Sequence, residues 1–335
     1  MREIKNCPST LSAGHSTYSS AAIRRLFGGK RVSHVMNIGN LSEDDNRDIQ
    51  ESVTRISLSG VQQKYSAVIE KGEIILTPQG RQGEYILKPT PNDKGILFRH
   101  SIPANEHLTM QIARQVFKIE TAENGLLFDN DGNPIYITKR FDIAADGSKI
   151  NQEDFASLRG KTKSLNGSDF KYQGSYEDIA DEIHKRVAAY PVELSKFFDL
   201  LIFNYIFGNN DAHLKNFSLM QTTDGDYRLT PAYDLLNATL HVENADFALD
   251  EGLSNSMERS DIYYKTGHPT SADFAMFGNL IGLPSKQVAK IINKYNNPDS
   301  SAKVEQLIND SFLDDKLQRM YKRSYEERMR RFTRE

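Results

Sequence analysis

Apolar positions follow two regimes along this chain. Between residues 53 and 142 they come in short runs separated by polar residues and glycine-containing turns: Ile56-Ser57-Leu58, residues 65–70, Ile74-Ile75-Leu76 and Tyr85-Ile86-Leu87-Lys88. Short runs with period two predict strands, since alternate side chains point to opposite faces. One helix interrupts the series. Over residues 105–117, Leu108, Ile112 and Val116 share a helical face, with Met110 and Ala113 beside it. Leu126-Leu127-Phe128 and Ile135-Tyr136-Ile137-Thr138 predict a hairpin turned by Asn130-Asp131-Gly132-Asn133.

Past Gln152 the period becomes helical. Residues 153–158, 176–189, 193–207, 274–281, 285–295 and 302–330 are predicted helices, with Pro284 near the start of one. The stretch 193–207 is apolar enough to be buried, whereas 160–174 is polar and rich in Lys, Ser and Gly, the composition of a mobile loop. Residues 237–255 read as irregular. Ahead of the strands the chain is short and polar, with one helix over 18–27 whose Ala21, Ala22, Ile23, Leu26 and Phe27 share a face. The order predicts an α+β, bilobal, protein-kinase-like fold. Residues 1–54 form a short extension packing on the first lobe, 55–142 a β-rich nucleotide-binding lobe with one helix, and 143–335 an α-helical catalytic lobe. A ligand cleft lies between the lobes.

Composition narrows the classes. A chain of 335 residues buries a substantial core, and its net charge of −3 gives no global case for nucleic-acid binding. A single Cys7 excludes an intramolecular disulfide framework and a cysteine zinc site. No apolar run reaches the length of a membrane span, and Met1-Arg2-Glu3-Ile4-Lys5-Asn6 has no signal-peptide character. A soluble cytoplasmic protein is expected.

The candidate chemistry is concentrated in Gly208-Asn209-Asn210-Asp211-Ala212-His213-Leu214-Lys215-Asn216, a dense polar stretch between two apolar runs. Asp211 and Asn216 have the spacing of a kinase catalytic loop, in which the Asp accepts the substrate hydroxyl proton and the Asn holds magnesium. Asp234 follows a strand-like segment, where a kinase keeps its main metal-binding carboxylate. Magnesium prefers oxygen ligands and uses few carboxylates besides phosphate oxygens, a set that Asn216 and Asp234 supply while Asp211 stays free as base. Lys88 ends a strand within reach of nucleotide phosphates, and Glu106 opens the next helix as its ion-pair partner. Each residue taken alone also has a structural reading: a snorkelling lysine, a helix-dipole glutamate, loop carboxylates and a turn amide. Their common order makes that reading insufficient. His213 is read as a structural hydrogen bonder with phosphate contact as the alternative, and Lys215 as a phosphate contact on the same terms. The loop from Ser57 to Lys64 is a candidate phosphate cover.

These blocks together resemble the HipA family of serine/threonine kinases, toxins of bacterial toxin-antitoxin modules. The matching blocks are Ile56-Ser57-Leu58-Ser59-Gly60-Val61-Gln62-Gln63-Lys64, Ile86-Leu87-Lys88-Pro89, Ala104-Asn105-Glu106, Lys139-Arg140-Phe141-Asp142, Asn151-Gln152-Glu153-Asp154, residues 208–216 and Pro231-Ala232-Tyr233-Asp234. The resemblance implies ATP and Mg2+ as cofactors. It implies nucleotide contacts at Ser59, Gly60, Val61, Gln62, Lys64, Lys88 and Glu106, with Lys139 and Phe141 where the family's hinge meets adenine. It implies autophosphorylation at Ser57 or Ser59, which would carry the loop away from the nucleotide by charge repulsion. Only about 54 residues precede the loop, against roughly a hundred more in longer members. The short HipT-like branch is therefore the better match, and the absent N-terminal subdomain would come from a HipS-like small protein beside a HipB-like DNA-binding antitoxin. An aminoacyl-tRNA synthetase is the implied substrate, and direct nucleic-acid binding by this chain is not expected. Two alternatives stay open: a pseudokinase regulatory subunit and a small-molecule phosphotransferase.

Overall fold

The computed structural model describes residues 4–36, 63–242 and 245–334. An antiparallel five-stranded sheet is built from β1 (Tyr65–Glu70), β2 (Glu73–Leu76), β3 (Tyr85–Lys88), β4 (Asn124–Phe128) and β5 (Pro134–Lys139), in the order β2-β1-β3-β5-β4. Strand alternation divides its side chains between two cores. Leu127, Ile135, Ile137, Tyr85 and Leu87 face Tyr18, Leu26 and Phe27 of the N-terminal segment, whose helix α1 (Ser20–Phe27) is capped by Ser19 and ended by Gly28 at φ +60°. Leu126, Phe128 and Tyr136 face the opposite way, toward helix α2 (Ile102–Gln115). The N-terminal segment also covers the β4 edge: Leu126 N donates to Pro8 O, Tyr18 Oη to Leu126 O, and Phe128 N to His34 O.

The remainder is mostly helical. It contains α3 (Phe155–Leu158), α4 (Lys163–Asn166), α5 (Tyr176–Arg186), α6 (Tyr190–Ile206), α7 (Asp261–Thr266), α8 (Ser271–Leu280), α9 (Ser285–Tyr295), α10 (Pro298–Asp310) and α11 (Asp315–Phe332). Helix α6 is apolar and central. Phe117, just past α2, packs edge-on against Phe203 of α6 and stacks on Tyr295, and Phe207 at the α6 end stacks on Tyr325, so rings join α6 to the end of α2 and to the C-terminal helices. The larger core therefore runs without interruption from the sheet into the helices.

Three expectations are corrected. The helical part also carries a small antiparallel sheet of β6 (Gln152–Asp154), β7 (Ser218–Gln221) and β8 (Tyr227–Leu229), so residues 152–154 are strand where a helix from 153 was expected. The expected helix over 302–330 is two helices, broken where Phe312 and Leu313 turn into the core and Asp314 caps α11 through Leu317 N. Residues 160–174 are not an open loop. They hold α4 and a 3-10 turn at Phe170–Tyr172, tied by Lys161 Nζ to Gln173 O at 2.8 Å and by Asp250 N to Tyr172 O at 2.9 Å.

Candidate active site

Strand register sets the first half of the site. Lys88 lies opposite Tyr136, on the sheet face that α2 covers, with its ammonium 5.3 Å from the Tyr136 ring centroid. There Lys88 Nζ meets Glu106 Oε1 at 2.6 Å and also binds Asp234 Oδ1. Lys64, ahead of β1, reaches Asp234 Oδ2 at 3.6 Å from the other side. Lys64, Lys88 and Glu106 are all buried. Burial opposes every charge in this cluster, and pairing decides the outcome. Asp234 is held well below the usual carboxylate range because the two lysines outweigh its burial. The two carboxylates likewise keep Lys88 charged against its desolvation. Burial pushes Glu106 up, and it takes Lys64 down to about 8.

Helix α6 aims the second half. It closes in a Schellman motif: Asn209 N donates to Asn204 O, Gly208 N donates to Tyr205 O, and Gly208 sits at φ +65°. A Cβ at Gly208 would lie 2.9 Å from Asn237 Oδ1, so the position needs glycine on two counts. The chain then turns sharply. His213 N and the Asn216 side-chain amide both donate to Asp211 O, each at 2.8 Å. With its Nδ2 so engaged, Asn216 leaves a buried Oδ1 that has no partner among the described residues. Asp211 is buried, and burial pushes its carboxyl up to about 6, against the pull of Lys171 and of a hydrogen bond from Tyr172 Oη at 2.9 Å.

Asp234 arrives on a pinned segment. Ala232 N donates to Glu120 O and Ala122 N to Ala232 O, and Tyr233 Oη contacts both Ser218 Oγ and Lys215 O. Asp234 itself adopts φ +55°, a left-handed conformation rare outside glycine and of the kind held at functional sites.

Lys88, Glu106, Asp234 and Lys64 thus stand together, and Asp211 and Asn216 share one loop. Phe141 is half-buried with its ring 5.8 Å from Tyr233, and Lys139 ends β5, also half-buried. Two local expectations change. Lys215 already has a protein partner: its buried Nζ pairs with Asp154 Oδ2 at 3.1 Å. His213 bonds through its backbone and not its ring: both ring nitrogens are buried without a hydrogen bond among the described residues, Nε2 lies 4.0 Å from Asp211 Oδ1, and desolvation takes the imidazole down to about 3. Its ring packs edge-on against Tyr172 at 5.2 Å instead. Ser57, Ser59, Gly60, Val61 and Gln62 lie outside the described residues. Sequence reasoning missed Tyr172 and the Asp154–Lys215 pair. The Gln152-Glu153-Asp154 block was the available signal for the pair; for Tyr172 there was none.

The donor set suits a hard cation. It offers one carboxylate kept ionised, now held by Lys88 and Lys64, and one orphaned amide oxygen. No cluster of three or more His, Cys, Asp or Glu suited to a metal occurs among the described residues.

The antiparallel sheet with one helix on its face, followed by a helical part bearing the Asp–Asn loop, is a kinase-like α+β fold. A HipA chain of Shewanella oneidensis MR-1, solved with HipB and operator DNA, superposes with a TM-score of 0.63 at 19% identity over 84% of this chain and 66% of its own. The Helicobacter pylori proinflammatory kinase CtkA gives a TM-score of 0.51 at 15% identity, covering 79% of this chain and 93% of CtkA. In sequence, a Haemophilus influenzae protein named "Putative kinase" is 29% identical over 278 residues, 77% of this chain and 76% of its own length. Y4dM of Sinorhizobium fredii, described in the same words, is 32% identical over 225 residues, and this chain spans about half of it (51%). Residues 56–302 match the model of the HipA-like C-terminal domain, and the chain belongs to that family.

Proposed function

We propose that this chain is an ATP- and magnesium-dependent serine/threonine protein kinase acting as the toxin of a toxin-antitoxin module. The carrying observation is the buried Lys88, held between Glu106 and Asp234, with the Asp234 backbone tied by Asn209 Nδ2 at 3.3 Å to the loop that carries Asp211 and Asn216. A lysine in such a place can keep Glu106 and still offer donors to nucleotide phosphates. Asp211 Oδ1 already accepts from one hydroxyl, that of Tyr172 at 2.9 Å, the kind of contact an acceptor hydroxyl would make. In the reaction, an acceptor Ser or Thr oxygen attacks the γ-phosphorus of ATP, the bond to the ADP oxygen breaks, and the acceptor proton passes to the Asp211 carboxylate. Asn216 and Asp234 would hold magnesium, which offsets charge on the phosphate oxygens. Phe141 and Lys139 would flank the base. His213 and Lys215 shape the loop rather than bind nucleotide.

The toxin role rests on family membership and on the fold shared with the Shewanella HipA chain. On this reading the substrate is a protein of translation, an aminoacyl-tRNA synthetase, and the partners are HipB-like and HipS-like proteins of the short HipT-like branch. The site of action is the cytoplasm. No described helix is long and apolar enough to cross a membrane.

Incubation of the purified chain with magnesium and ATP, followed by intact-mass measurement and peptide mapping, tests the proposal. The wild type should gain phosphate at Ser57 or Ser59 and Asp211→Gln should not. Equal gain in both proteins, or none in a wild type shown to start unmodified, overturns it.

A further inference from the structure

Helix α2 carries Glu106, and in kinases the placement of that helix is a control element. Here the helix is buried from Ile102 to Ala113, polar residues included. Each of those polar side chains is tied to a different part of the chain. His107 Nε2 donates to Ser9 O at 3.1 Å, Gln111 Nε2 to Asn124 Oδ1 at 2.9 Å, and Thr109 Oγ1 lies 2.8 Å from Tyr321 Oη of α11.

Asn105 makes the tie that reaches the site. Its side chain is fully buried and brackets one residue's backbone: Nδ2 donates to Asn237 O at 2.9 Å and Oδ1 accepts from Asn237 N at 3.0 Å. The second Nδ2 hydrogen goes to His241 Nε2 at 2.8 Å, whose Nδ1 then donates to Leu97 O at 2.8 Å. Asn237 is three residues past Asp234, and Asn105 is next to Glu106. Asn237 in turn holds Ser324 of α11 through its Nδ2 at 3.1 Å and closes over Gly208 at the head of the Asp211 loop. The Asn105 amide therefore joins the helix bearing Glu106 to the segment bearing Asp234, and Asn209 Nδ2 joins that segment to the loop bearing Asp211 through Asp234 O at 3.3 Å.

We propose that Asn105 is the positioning residue that locks α2 to the Asp234 segment, so that Lys88, Glu106 and Asp234 stay assembled and α2 does not swing as a switch. A two-pronged amide clamp fixes both separation and register, which a single apolar contact does not. Every alternative α2 position would strand five buried polar side chains, each costly to leave unpaired. Control over this site then acts on elements other than α2. The consequence for catalysis rests on the kinase reading; the lock itself does not.

The test uses the full chain. Amide hydrogen exchange in the wild type should show residues 104–113 exchanging no faster than residues 197–206 of α6; independent opening of α2 overturns the lock whether or not the protein is a kinase. Asn105→Ala should raise exchange in 104–113 and 234–237. It should also lower kcat about 100-fold, the scale of an ångström-level misplacement, with acceptor KM changed less than threefold. Gln111→Met, which loses the Asn124 contact and leaves Asn105 untouched, should change kcat less than threefold. A folded Asn105→Ala with kcat within threefold of wild type, or equal loss in both variants, overturns the positioning role. Should Asn105→Ala fail to fold, the wild-type exchange pattern still decides. Should the wild type transfer no phosphate, the kinase reading fails and the exchange result stands by itself.

Discussion

At the residue scale the site is a balance of buried charges. Lys88 sits between two carboxylates, so its removal leaves Glu106 and Asp234 facing each other with only Lys64 nearby. Lys88→Met should cost about 3 kcal/mol of stability, and Glu106→Gln in the same chain should restore part of it. The double-mutant cycle by urea unfolding should show coupling above about 1 kcal/mol; additivity would mean that the pair contributes nothing. Tyr172 makes a second prediction. Its hydroxyl occupies Asp211 Oδ1, the atom that an acceptor hydroxyl would need if Asp211 is the base as proposed. A hydrogen bond to a charged group contributes roughly 1.5 kcal/mol, so Tyr172→Phe should lower acceptor KM about tenfold with kcat unchanged. A fall in kcat would instead assign Tyr172 to holding Asp211. The placement of Lys88, Glu106 and Asp234 together, and of Asp211 and Asn216 on one loop, was legible from their order and spacing; their roles belong to the proposed function. Tyr172 was not, because only the pairing of residues 172–174 with 250–251 brings it across 39 positions to Asp211.

At the element scale, legibility followed hydrophobic period. The strands of the larger sheet, the hairpin at 130–133 and α2 all carry it, and their boundaries moved by only a few residues. Strand β6 does not. It is three polar residues paired to β7, and nothing alternates in Gln152-Glu153-Asp154. The break before α11 had a signal that period masks: Asp314 is an N-cap residue, and apolar Phe312 and Leu313 kept the pattern running through the turn. Helix α7 is six residues long with none buried, too short to show in a window, although Ser260 and Gly267 bracket it as caps. Gly208 shows how an element end serves the site. Gly208→Ala forces a left-handed alanine and a contact with Asn237, so it should destabilise by about 2 kcal/mol, with a loss of phosphotransfer larger than the change in melting implies. Unchanged activity in a destabilised but folded variant would separate the Schellman turn from the placement of Asp211.

At the scale of the whole molecule, α2 is where separate parts of the chain are joined, and the joint contains a histidine. The N-terminal segment reaches α2 through Ser9 O, which accepts from His107 Nε2. The other ring nitrogen, Nδ1, is buried with no partner among the described residues, so a proton there would bring an unsatisfied charged group into the core. Burial accordingly takes His107 down to about 4. The sign follows from linkage. Between about pH 6.5 and pH 4 the unfolded chain binds a proton that the folded chain refuses, so the contribution of this group to stability falls as the pH falls. Glu106 and Asp211, both pushed up by burial, act in the opposite sense, and comparison with a His107 variant cancels them. His107→Gln keeps an N–H for Ser9 O and removes the titration. Relative to this variant, the wild type should lose about 2 kcal/mol of unfolding free energy between pH 7.5 and pH 5, read by urea titration at each pH. A change under about 0.5 kcal/mol would mean that the proton is accommodated in the folded chain, and that the joint between the N-terminal segment and α2 opens well before the core does.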